Sequence, residues 1–465
     1  MSNPGESDDT PIASVEQLAS HLAAGGKPRD AWRIGTEHEK FGFRLPGRPE
    51  APAFSPPAYA PHGIEALLEL FAADPAGWEP ITDSGHLIGL KGRGPNQGGS
   101  LSLEPAGQFE LSGGPLSTLH QTAAELIGHA EALRPHAAAL GLGFAPLGFH
   151  PTATRAEMPF MPKSRYAIMR RYMPQVGTLG LDMMLRTCTV QVNLDYESEA
   201  DMAAKLRVSL ALQPIATALF ANSPFEDGRP NGLLSTRAKV WTDTDNARSG
   251  MPPLFFEPGF GFHRYVEWAL DVPMYFVSRD GGLIDVAGGS FRAWMEGRND
   301  ALAHLRPTVG DFDDHLTTLF TDVRLKRFLE MRGADAGSIE MMIAQSALWT
   351  GLLYDAASLQ AADAMVREQP WTSYAALRAA VPARGLDAPF GDGSARALAA
   401  RMVAIANDGL AARAVRGPDG QDERRYLAPL LPIVQGAPNQ AEHWLERYNG
   451  AWNGETTRIF AEAAI

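Results

Sequence analysis

Residues 189–195 read TVQVNLD, and their strict alternation decides the fold class. Successive side chains of an extended chain point to opposite faces. Val190, Val192 and Leu194 therefore share an apolar face, while Thr189, Gln191, Asn193 and Asp195 share a polar one. By the same parity Cys188 falls on the apolar side and is expected to be buried. Three further stretches repeat the pattern. In RIGTEHEKFGF (33–43), Glu37 and Glu39 lie two apart and so share a face. In SLSLEPAGQFELSGG (100–114), Leu101 and Leu103 oppose Ser100, Ser102 and Glu104. After the Pro-Ala-Gly break, Gln108 and Glu110 oppose Phe109 and Leu111. In RFLEMRG (327–333), Glu330 and Arg332 face away from Leu329 and Met331.

Helical patterns surround these strands. An apolar stripe of Leu119, Ala123, Leu126, Ala130, Leu133, Ala137 and Leu140 predicts a helix from about Ser117 to Leu140, with Gly141 as its stop and Pro135 as a kink or break. Ser198-Glu-Ala-Asp opens a second helix that runs towards Leu219. The Ala-rich last part of the chain, from about 336 to 465, is helical in pattern with a GPDG turn at 417–420. The Pro-rich stretch 51–63 reads as a surface loop, and residues 1–12 as a disordered tail preceding one large domain, 13–465. Strands mixed with helices without regular alternation give an α+β fold, a β-rich centre wrapped by helices.

With 41 Lys+Arg against 54 Asp+Glu in 465 residues, the chain carries a formal charge of −13, and 45% apolar content leaves ample material for a core. An acidic chain with no basic block speaks against nucleic acid and anionic membrane as partners. Cys188 is the single cysteine, so an intrachain disulfide and a thiol zinc site are both excluded. No apolar run approaches the roughly 20 residues that span a bilayer. The acidic opening MSNPGESDDTPIAS has neither an apolar core nor basic residues, so the expected setting is the cytoplasm.

A one-sided antiparallel sheet would place polar residues on its wet face without any further purpose. Carboxylates at i, i+2 spacing on several strands need more explanation, because glutamate is depleted in strands and like charges repel across a sheet. Cations seated among them supply it. All-oxygen ligands with an amide or two suit Mg²⁺, or Mn²⁺, rather than zinc, and Mg²⁺ held by a few carboxylates together with phosphates points to nucleotide chemistry. The competing signatures fail. His38-Glu39 opens like a zincin motif, but position 42 is Gly and the segment alternates. Neither a P-loop nor a G-x-S-x-G elbow occurs. KGRGPNQGGS (91–100) reads as a hairpin loop, and TDTDNARSG (242–250), without EF-hand spacing, as a turn.

Taken together these residues resemble glutamate–cysteine ligase of the plant and proteobacterial type. The resemblance runs from about Trp32 to near the C-terminus through GTEHEKFGF (35–43), SLEPAGQFELSGGPLSTLHQT (102–122), MPKSRYAIMRRYMP (161–174), LGLDMMLRTCTVQVNLDYESEADM (179–202) and VRLKRFLEMRGAD (323–335). It implies a glutamine-synthetase-like core, in which a curved antiparallel sheet forms the site and helices lie outside. It also implies the reaction: ATP, L-glutamate and L-cysteine give γ-glutamylcysteine, ADP and phosphate through γ-glutamyl phosphate, the first step of glutathione synthesis.

Carried over position by position, the resemblance makes Glu37, Glu39, Glu104, Glu110 and Glu330 metal-binding glutamates, with Gln191 as a further metal-side ligand. Arg332 meets the phosphate being transferred from ATP, and Glu330 and Arg332 form the catalytic Glu-x-Arg pair. Arg165 and Arg237 hold the glutamate α-carboxylate, which a guanidinium fork grips bidentately. Tyr275 is placed in the substrate pocket, near cysteine. Plant members carry cysteines that form regulatory disulfides and influence dimerisation. Ala123, Val286 and Ile343 occupy those positions here, so no thiol switch is expected and a monomer is favoured over a homodimer. Three alternatives stand behind this reading: a γ-glutamyl ligase of the same fold with another amine acceptor, a non-catalytic sensor of glutamate or nucleotide, and a carbohydrate-active enzyme using paired carboxylates.

Overall fold

A computed structural model describes residues 8–47, 52–279 and 281–465. Among them, nine strands form one sheet: β1 (Ile34–Arg44), β2 (Trp78–Asp83), β3 (His86–Gly92), β4 (Ser100–Leu103), β5 (Phe109–Ser112), β6 (Leu142–Ala145), β7 (Thr189–Leu194), β8 (Val323–Leu325) and β9 (Leu329–Asp335). Their order in space is β8-β9-β7-β1-β5-β4-β3-β2, with β6 added beside the far end of β1. The pairs are antiparallel.

The register brings the polar rows onto one face. Glu37 stands opposite Gln191, Glu39 opposite Glu110, Glu110 opposite Ser102, and Glu330 opposite Asn193. The other face packs against helices, chiefly α1 (Leu119–Ala139), α3 (Glu199–Leu219) and α5 (Ile339–Leu353), where Val190, Val192, Leu194 and Met331 are buried; Cys188 is buried too, in a second core cluster with Phe41, Phe149 and Ala336. The polar face is closed by α2 (Ser164–Tyr172) and α4 (Thr236–Val240). A register shift between Met331 and Ala334 interrupts the β9–β7 ladder next to Arg332. Such a bulge re-aims side chains and leaves carbonyls for other donors. The Arg332 carbonyl accepts from Arg237 at 2.7 Å, and the Gly333 carbonyl from Thr217 at 2.8 Å.

The helices begin where their caps predict. Thr118 and Gln121 form a capping box before α1, and Ser198 caps α3 by accepting from the Asp201 amide. Pro135 does not end α1, which continues to Ala139. Proline removes the bond to the carbonyl four residues back. Here that is Glu131, which is exposed, so water replaces the missing donor. The C-terminal part is helical from Ile339 onward, including α6 (Ala395–Arg413). The tail departs from expectation. Residues 1–7 lie outside the described residues, but 8–12 are held in place: the Ile12 amide donates to Pro307 at 3.0 Å and the Val309 amide to Thr10 at 2.9 Å. The extended run finds backbone partners in 307–310 that its composition does not reveal. The loop at 52–63 is non-regular and largely at the surface, while Ala51 is outside the described residues.

Candidate active site

A cavity of about 110 Å³ opens on the polar face, lined by Glu39 of β1, Glu104 and Gln108 of the β4–β5 turn, Glu110 of β5, and Thr189 and Gln191 of β7. Arg165 of α2, Arg237 of α4, Arg324 of β8 and Arg332 of β9 complete it. Four strands and two helices, far apart in sequence, thus bring carboxylates and guanidinium groups to one point. Of the residues singled out from the sequence, Glu39, Glu104, Glu110, Gln191, Arg165, Arg237 and Arg332 line this cavity.

The carboxylates fall into two electrostatic groups. Burial, with the neighbouring Glu104, pushes Glu39 up to about 8 against the pull of Arg237. Burial drives Glu110 well above the usual carboxylate range, helped by Glu104, Glu37 and Glu39. Glu330 behaves in the opposite way. Burial alone would raise it, yet Arg324, Arg332 and Lys326 hold it well below its ordinary value. Arg324 grips it as a fork, with Nη2 at 2.8 Å from both oxygens and Nε at 3.1 Å from one. Arg332 donates to Glu330 and to the Gln191 side-chain oxygen. Glu37 accepts from the amides of Gln191 at 3.1 Å and Asn193 at 2.8 Å.

The donor set is chemically suited to a hard divalent cation. Glu39, Glu104 and Glu110 present oxygen ligands in one cavity, and their mutual repulsion is what a cation relieves. The five glutamates do not converge as one cluster, however. Among the described residues no three acidic, His or Cys side chains close on a common point, because Glu37 is engaged by amides and Glu330 by arginines.

Tyr275 lies one layer behind the cavity. It is fully buried and outside the cavity lining, its hydroxyl donating to Asp245 at 3.2 Å and its ring stacked against the Arg248 guanidinium at 3.8 Å. A phenol needs a polar partner when buried, and Asp245 takes that role. Arg186 is likewise structural, paired with Asp182 and Asp227. Arg93, in the glycine-rich loop, pairs with Glu79.

Arg324, Lys163 and Gln108 line the cavity without having been singled out. For Arg324 a signal existed. Val323–Leu325 and Leu329–Met331 flank a short turn, and pairing them antiparallel sets Arg324 opposite Glu330. Gln108 donates to the carbonyls of Met184 and Thr187, both at 3.1 Å, contacts that only the tertiary fold supplies.

Residues 33–462 match the glutamate–cysteine ligase family 2. The chain is 48% identical over 450 residues to a chloroplastic glutamate–cysteine ligase of Nicotiana tabacum, covering 96% of this chain and 82% of that one. It is 48% identical over 448 residues to the chloroplastic enzyme of Brassica juncea, covering 96% and 83%. Among solved structures, a glutamate–cysteine ligase from Francisella tularensis in complex with AMP superposes with a TM-score of 0.55 at 11% identity, covering 93% of this chain and 87% of that one, a likeness of fold. The expected cytoplasmic setting is contradicted by these comparisons, since the relatives nearly half identical to this chain are named as chloroplastic proteins. With its match spanning almost the whole sequence, the chain belongs to the glutamate–cysteine ligase family.

Proposed function

We propose that this protein joins the γ-carboxyl of L-glutamate to the amine of L-cysteine with cleavage of ATP to ADP and phosphate, the first step of glutathione biosynthesis. The observation that carries this reading is the state of Arg165 and Arg237. Both line the carboxylate cavity, and the Nε of each is buried with no hydrogen-bond partner among the described residues. Unpaired buried donors of this kind call for a ligand. Two guanidinium groups with spare N–H bonds, beside a phosphate-type arginine, suit an amino acid whose carboxylates need gripping.

In this reading the terminal phosphate of ATP enters the cavity beside Arg332. Arg237 and Arg165 orient the glutamate so that its γ-carboxylate attacks that phosphorus and ADP leaves. Arg332, aimed by Glu330 and Gln191, neutralises charge on the phosphoryl group in flight. The cysteine amine then attacks the acyl carbon of γ-glutamyl phosphate, and phosphate departs. Glu39, Glu104 and Glu110, with Gln191, are the residues that would hold Mg²⁺ or Mn²⁺. When bound, the metal supplies positive charge to the phosphate oxygens.

Oxygen-18 in the γ-carboxylate of glutamate tests the acyl-phosphate route. One labelled oxygen is expected in the released phosphate and one in the γ-glutamylcysteine. Unlabelled phosphate would rule the route out.

A further inference from the structure

We propose that Asp335 is a positioning residue for glutamate capture, a buried carboxylate that sets the start of the helix bearing Arg237. The inference rests on the reading that Arg237 grips the substrate carboxylate. Asp335 ends β9 and is 1% exposed. Its Oδ2 accepts from the Asn222 amide at 2.8 Å and the Ser223 hydroxyl at 2.6 Å, and its Oδ1 from the Ser235 hydroxyl at 2.8 Å.

The two serines lead to Arg237. Ser235 is the N-cap of α4, its oxygen accepting from the Ala238 amide at 3.1 Å. The Ser223 oxygen accepts from the Arg237 amide at 3.3 Å, and the Ser223 carbonyl from the Thr236 hydroxyl at 2.7 Å. Both hydroxyl hydrogens are spent on Asp335, which leaves both oxygens free to accept from the helix. Asp335 thus fixes the direction of two caps at once. Arg237 itself is held by the Arg332 carbonyl and, among the described residues, has no carboxylate within hydrogen-bond distance; Asp335 is the foremost of the nearby negative charges that offset it, ahead of Glu39 and Asp322. The close fit extends to Gly148, where a Cβ would lie 2.3 Å from the Asp335 carboxyl carbon.

Asparagine in place of Asp335 keeps the shape but turns one acceptor into a donor facing a donor, and removes the charge behind Arg237. Small errors in the placement of a binding group carry large kinetic penalties, so Asp335→Asn is expected to raise the glutamate KM by about tenfold or more. The KM values for ATP and cysteine and the saturated kcat should stay within about threefold of wild type, because the Arg332 side chain, although on the same strand, is aimed by Glu330 and Gln191 and not by Asp335. Ser235→Ala, a smaller lesion in the same chain, should raise the glutamate KM in the same direction, and it carries the test if Asp335→Asn does not fold. Arg237→Ala is measured beside them. A glutamate KM raised by Arg237→Ala but unmoved by folded Asp335→Asn and Ser235→Ala overturns the role of Asp335 alone. An unchanged glutamate KM in Arg237→Ala overturns the reading of Arg237 instead. Equal losses against all three substrates would mark Asp335 as structural and also overturn the proposal.

Discussion

Glu39 and Glu110 stand directly opposite each other on neighbouring antiparallel strands, with Glu104 lining the same cavity. Like charges facing across a sheet cost roughly 0.2–1 kcal/mol. Without metal the site therefore strains the sheet, and Glu110→Gln should leave the fold intact and raise the denaturation midpoint in EDTA slightly. Adding Mg²⁺ should stabilise wild type by mass action and the variant much less. Turnover should be abolished. A variant that keeps near-normal activity and the full Mg²⁺ response would remove Glu110 from the metal site.

Arg332 is held by Gln191 and Glu330 rather than by bulk solvent, so its guanidinium is preorganised for the moving phosphoryl group. Arg332→Ala should lower kcat by about 100- to 1,000-fold. The glutamate KM should change little, since Arg165 and Arg237 remain. Steady-state kinetics that show the reverse pattern, a large KM effect with kcat intact, would reassign the residue to substrate binding.

The parity of four short strands made the polar face legible before any coordinates. Glu37, Glu39, Glu110, Gln191, Glu330 and Arg332 all fall on the face that alternation assigns them. What alternation does not carry is partnership. Glu37 and Glu39 look equivalent in sequence, yet one meets two side-chain amides while the other lines the cavity beside Glu104. Arg324 escaped notice because its partner lies across a turn, and Asp335 because its three donors come from residues about 100 positions upstream. Tyr275 shows the converse: an aromatic residue carries no mark in the sequence of whether it lines the cavity or lies in the layer behind it, where Tyr275 is found.

Four buried histidines, His38, His129, His150 and His315, work against folding in acid. Burial, with a smaller push from Arg186, lowers His150 to about 3; burial also lowers His315 to about 4, against the pull of its bond to the Ala269 carbonyl. Both stay neutral in the folded chain but take up protons near pH 6.5 once unfolded. Their contribution is complete above about pH 6.5 and is lost as pH falls towards 4. Buried Glu39 and Glu110 titrate in the opposite sense, so the readout is the difference: from pH 7 to pH 5 the urea midpoint of wild type should lose ground against that of His315→Gln. A variant with the slope of wild type would acquit His315.

Cys188 is fully buried and, as the single cysteine of the sequence, has no second thiol in the chain to pair with. Dithiothreitol is therefore expected to change the activity of the pure protein by less than about twofold, with no shift in its elution volume. A severalfold response to reductant alone would restore a thiol switch.

The central claim is tested most directly by ADP release from ATP in the presence of Mg²⁺ and L-glutamate, measured with and without L-cysteine and with mass detection of the product. Release that depends on L-cysteine, together with γ-glutamylcysteine in equal amount, is the predicted result. Release driven by a different amine, or no turnover by a chain that is folded and binds Mg²⁺, would contradict it.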